Sequence, residues 1–167
     1  MENYNHFTYG EMLARALKPI RHTDIDKHFY QAIEVEDLPD LDERLSDAHG
    51  VNLIAIDGSN SDFIYKNPEA FLKRPQYFFI IVAQTDSTDI QTVLAAQKQC
   101  ETVAEQIISK MLCDFHEYVS GLHALDPETF TIRGYGPIAD NFYGVILGFN
   151  MSQPKPYKID QTMWIWD

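Results

Sequence analysis

The side chains best suited to chemistry in this sequence are its six histidines and its many carboxylates. The tightest grouping is His22-Thr23-Asp24-Ile25-Asp26-Lys27-His28. On an extended strand, side chains two apart share a face, so His22, Asp24, Asp26 and His28 would line up. Imidazole and carboxylate together suit a divalent cation. A complete ligand set asks for more, and neither an HExxH pair nor a Cys/His pair follows downstream. The expectation is no metal site.

Other groupings fail on similar grounds. Asp57-Gly58-Ser59-Asn60-Ser61-Asp62 has the composition of a calcium loop. That loop needs glycine at its sixth position and glutamate at its twelfth, where this chain carries Asp62 and Pro68. A turn is the simpler reading. Asp114, His116 and Glu117 close a helical pattern, and His116 there complements the negative helix end. No G-x-S-x-G elbow and no glycine-rich phosphate loop occurs. The sequence therefore leads us to expect no catalytic residue, no cofactor and no enzyme activity.

The two cysteines, Cys100 and Cys113, fall on one helical pattern roughly 20 Å apart along the axis, beyond disulfide reach. Both are expected to be inert thiols on or beside the apolar face, in a reducing compartment.

Thirteen basic residues against 25 acidic ones give a net charge of −12, which disfavours phosphate backbones and anionic lipid as partners. No signal-like n- and h-region opens the chain, and no apolar run approaches a membrane span. The 167 residues suit one domain with a sizeable core.

Periodicity supplies the elements that must position these groups. Thr8 and Glu11 form a capping box, with Phe7 and Met12 as a staple, predicting a helix over 9–17. Phe29, Gln31, Ile33 and Val35 alternate as the apolar face of a strand. Asp37 and Pro39 open a short helix through Leu38, Leu41, Leu45 and Ala48, stopped by Gly50. Residues 51–57 read as a strand, 58–62 as a turn and 63–65 as its returning strand. Residues 67–74, flanked by Pro68 and Pro75, read as a loop or single helical turn.

Residues 77–84, apolar on both faces, belong at the centre of a covered sheet. Thr88 and Gln91 then cap an amphipathic helix of roughly seven turns, from Ile90 to Phe115. Its face, including Val93, Ile107 and Met111, should pack on Phe79, Ile81, Val145 and Leu147. Phe130 and Ile132 start a strand, and residues 136–141 form a turn. A last strand puts Tyr143, Val145, Leu147, Phe149 and Met151 on one face and Gly144 and Gly148 on the other. The two glycines imply a close approach, with the long helix as the candidate. The fold class is α+β, an antiparallel or mixed sheet with the long helix across one face.

Beyond Ser152, Pro154 and Pro156 detach a C-terminal arm, 152–167, ending Met163-Trp164-Ile165-Trp166-Asp167. Two tryptophans at strand spacing suit an interface. Trp164, Trp166, Phe29 and Tyr30 are the interface candidates.

This succession of N-terminal helix, hairpin, apolar strand, long helix and closing hairpin resembles the tail-terminator and tail-completion proteins of long-tailed phages. The stretch 136–145 (GPIADNFYGV), following the 77–84 strand and the long helix, is also similar to phage-derived proteins of Bacteroidetes type. The likeness covers roughly residues 53–151. It implies a structural, non-catalytic subunit in a homo-oligomeric ring, typically a hexamer, that meets tail-tube or neck proteins. Such a protein is made in the cytoplasm of a bacterial host and ends in the virion tail. Carboxylates facing a DNA-conducting lumen would keep the duplex mobile. A second reading stays open: a standalone small-ligand-binding domain or enzyme assembled from scattered residues such as His28, Glu34, His116 and Asp140.

Overall fold

The computed structural model describes residues 3–33, 38–67, 69–86, 88–119, 121–155 and 158–165. Helix α1 (His6–Ala16) leads into strand β1 (Phe29–Ala32), helix α2 (Leu38–Leu45) and strand β2 (Val51–Ile56). Strands β3 (Ser61–Tyr65) and β4 (Phe71–Gln84) follow, then helix α3 (Ile90–His116), strands β5 (Leu125–Ile138) and β6 (Phe142–Met151), and a two-residue β7 (Gln153–Pro154). The sheet runs β1-β2-β4-β6-β5, with β3 and β7 attached to β4. β1 pairs with β2 in parallel and the remaining pairs are antiparallel, so the fold is α+β on a mixed sheet.

Alternation along the central strands builds two apolar layers, because successive side chains point to opposite faces. Phe79, Ile81, Leu53, Val145 and Leu147 face α1 and α3, meeting Tyr9, Leu13, Cys100, Ala104, Ile107 and Met111. Ile80, Val82, Ile54, Ile56 and Ile146 face the other way and are covered by Leu41, Leu45 and Ala48 of the α2 region. β4 is therefore the buried central strand that its apolar run predicts.

Several local expectations are corrected. The cap of α1 is Asn5, whose side chain accepts from the Thr8 N–H, so the helix starts three residues before the predicted 9–17. Asn is as good a cap as Thr, and it comes first along the chain. β1 is short, and its expected apolar face fails at Gln31 and Ile33, which are exposed. Val35 and the side chain of Leu38 lie outside the described ones. β3 does not return along β2. It forms a hairpin with β4, pairing Tyr65 with Phe71 and Ser61 with Pro75, so the predicted loop at 67–74 is partly strand.

In α3 the cap is Asp89, which accepts from the Gln91 N–H, rather than Thr88. The first turn of its 27 residues is less covered than the rest of its apolar face. Ile90 and Leu94 are accordingly exposed and Val93 is only half-buried. Cys113 is also exposed, unlike Cys100, whose thiol is pushed up to about 12 by burial.

The close approach at Gly144 and Gly148 comes from neighbouring strands, not from α3. A Cβ on Gly144 would stand 1.9 Å from the Ile81 carbonyl oxygen of β4, and one on Gly148 would meet Phe78 and Thr131. The close helix approach is instead at Gly10 of α1, where a Cβ would meet the Phe79 and Phe29 rings at 2.9 and 3.0 Å. No helix among the described residues is long and apolar enough to cross a membrane.

Candidate functional site

The scattered residues of the second reading are not joined. His28 lies buried just before β1, His116 is exposed at the end of α3, and Asp140 sits in the β5–β6 turn with φ of 64°. Glu34 lies outside the described residues.

Residues 22–28 do not form a strand, so His22, Asp24, Asp26 and His28 do not share a face. The segment bends because the Thr23 hydroxyl accepts from the Asp26 N–H at 2.8 Å while the Thr23 N–H donates to the Asp26 carbonyl at 2.9 Å. Asp24 turns away to Arg15. His22 turns inward, where its Nδ1 accepts from the His28 backbone N–H at 3.0 Å. Burial lowers the pKa of His22, which suits that acceptor role.

Asp26 and His28 do meet, with Oδ1 3.2 Å from Nε2. A third group joins them that the sequence reading missed. His49 brings its Nε2 to 3.7 Å from the same Asp26 Oδ1. The two imidazoles stand edge to face at 5.0 Å.

The topology explains the meeting. β1 and β2 are parallel and α2 crosses between them, so the residues just before each strand lie at the same end of the sheet. His28 precedes β1, and His49 precedes β2 across Gly50, whose φ of 63° makes the turn. The sequence signal that could have found His49 was this strand–helix–strand order, hidden once residues 51–65 were read as a hairpin.

Beside this group opens a cavity of about 600 Å³, lined by Asp26, Tyr30, Gln31, Arg44, Asp47 and His49 among others. Tyr30 stands on its wall, half-buried, and its hydroxyl donates to the Lys27 carbonyl at 3.2 Å. Phe29 is buried in the core beneath α1 and keeps only a small exposed area, at the wall of the same cavity.

A different kind of surface forms at the opposite end of β4. Residues 71–75 extend past the main sheet and pair with β3 on one side and, at Leu72 and Lys73, with β7 on the other. The chain thus keeps one more sheet contact after Met151 before the arm departs, and the Lys155 N–H donates to the Phe71 carbonyl at 2.9 Å. In the β3–β4 ribbon, Phe63, Tyr65 and Phe71 share a face, and the Phe63 and Phe71 rings stack at 5.5 Å.

The arm then turns through a short 3-10 helix, Gln161–Met163, capped by Asp160. Along it Ile159, Met163, Trp164 and Ile165 are 55%, 79%, 60% and 97% exposed. Trp166 lies outside the described residues. No family model, no curated protein and no solved structure matches this chain.

Proposed function

We propose that the chain is a structural assembly subunit of the kind that builds a ring in a phage or prophage tail, and that copies join through the C-terminal arm. The observation that carries this reading is the arm itself. Four large apolar side chains are more than half exposed within residues 158–165, and a soluble protein tolerates such a cluster best when another surface covers it. The occupant is a second copy of the same chain. Each copy carries both the arm and the aromatic face of the β3–β4 ribbon, where Phe63 and Tyr65 are also more than half exposed.

Arm on ribbon is a heterologous contact, which closes into a ring when the rotation between copies permits. A net charge of −12 makes copies repel one another, so an apolar contact is the one that can hold them. Of the succession on which the tail-terminator resemblance rests, α1, the apolar strand within β4, α3 and the β5–β6 hairpin occur in that order, whereas the hairpin expected at 51–65 does not form. In that setting the ring meets tail-tube or neck proteins and passes DNA without gripping it.

Deleting residues 158–167 tests the reading. The expected result is a folded protein, with the circular dichroism of the parent, eluting from size exclusion as a smaller species. Because truncation can disturb β7, the full-length Ile165→Asp variant is the second arm of the test and should show the same shift. Unchanged assembly in both variants would refute the arm as the clasp.

A further inference from the structure

We propose that Asp26, His28 and His49 bind one divalent transition-metal ion of the zinc class. The proposal is independent of the assembly reading and rests on the hydrogen bonds around His28. The Asn52 amide is fully buried, and its Nδ2 donates to the His49 and Gly50 carbonyls at 3.2 and 3.4 Å. Carbonyls only accept, so this settles which end of the amide faces His28. Asn52 Oδ1 lies 3.1 Å from His28 Nδ1, and that nitrogen must therefore carry the proton.

With Nδ1 engaged by Asn52, His28 presents its other ring nitrogen, Nε2, to the carboxylate of Asp26 at 3.2 Å. A metal-bound imidazole has this arrangement, with its second nitrogen donating to a buried acceptor that fixes tautomer and ring orientation. His28 is further anchored by its backbone N–H on His22 and by its carbonyl, which accepts from the Leu53 N–H.

The spacing suits the ion. Metal–ligand bonds near 2.0–2.2 Å at tetrahedral angles put ligand atoms about 3.3–3.5 Å apart. Asp26 Oδ1 lies 3.2 Å from His28 and 3.7 Å from His49, and all three ligand atoms fall within 4.8 Å of one another. The remaining adjustment falls to His49, which is largely exposed and can swing inward. Two imidazoles and one carboxylate select zinc, nickel or copper over magnesium or calcium, which prefer oxygen ligands. Asp26 and His49 both line the cavity, so the ion has a path in and its open coordination positions face solvent.

The test uses the full, untagged chain, stripped with EDTA and dialysed, titrated with zinc chloride alone by calorimetry and weighed by native mass spectrometry. One zinc per chain is expected, with magnesium and calcium giving no binding at the same concentration. His49→Ala and Asp26→Asn alter exposed side chains and leave the fold intact. Each should weaken zinc binding by at least about tenfold. Absence of zinc binding would overturn the proposal. So would parental affinity in His49→Ala, which places the ion elsewhere.

Discussion

Tyr9 of α1 donates its hydroxyl to Asp114 Oδ2 of α3 at 2.8 Å, a bond across 105 residues of sequence that ties the two helices on one face of the sheet. Asp114 is buried, and Lys110 pairs with its other oxygen. Burial, then the bond to Asp114, raises the Tyr9 pKa, so the phenol remains a donor at any ordinary pH. Tyr9→Phe leaves a buried carboxylate short of one partner. The expected cost is about 1–3 kcal/mol, read from urea unfolding. A parental midpoint would mean that Lys110 alone satisfies Asp114.

Ile107 is fully buried where α3 crosses the sheet, among Phe79, Val145 and Leu147. Ile107→Ala should cost about 2–5 kcal/mol, the usual range for a cavity of this kind. The same truncation at Val93, half-buried on the thinly covered first turn, should cost clearly less. Equal losses at the two sites would contradict this difference in burial.

His6 gives stability a pH dependence. Its Nε2–H donates to the Phe78 carbonyl at 2.9 Å and its Nδ1 accepts from Tyr4 at 2.9 Å, so the native ring is neutral. Burial lowers its pKa from 6.5 to about 4. Between those values the unfolded chain binds more protons than the native one, so stability rises with pH. The contribution is complete above the unfolded value and is lost as pH falls toward the folded one, in all about 3 kcal/mol. Unfolding free energies measured from pH 7 to about 4.5 should show the decline, and His6→Gln should flatten it. Parallel curves for parent and variant would show that His6 does not carry it.

What was legible in the sequence followed from burial on a regular period. Cys100, Ala104, Ile107 and Met111 repeat at helical spacing and do face the sheet. The alternation from Val145 to Met151 names correctly the face of β6 that packs in the core with α3. Strand partners were another matter, since a period of two says which face is apolar and nothing about which strand lies alongside. Residues 71–74 looked like a loop because Pro68 and Pro75 flank them and a half-exposed ribbon needs no apolar alternation.

The candidate site was half legible for the same reason. Asp26 and His28 are neighbours in sequence, while His49 reaches them only through the parallel β1–β2 pairing. The arm was legible as apolar composition past two prolines. Its continued contact with β4 was not, because Pro154 looks like a strand breaker and here takes an edge position.

The most direct measurement is the mass of the intact chain in solution by sedimentation equilibrium over a range of concentrations. One chain weighs 19.3 kDa. Assembly into a ring predicts a single closed oligomer whose mass is a fixed multiple of that value, six being the multiple the tail-terminator resemblance implies, and whose stoichiometry holds on dilution. A monomer at every concentration would contradict it.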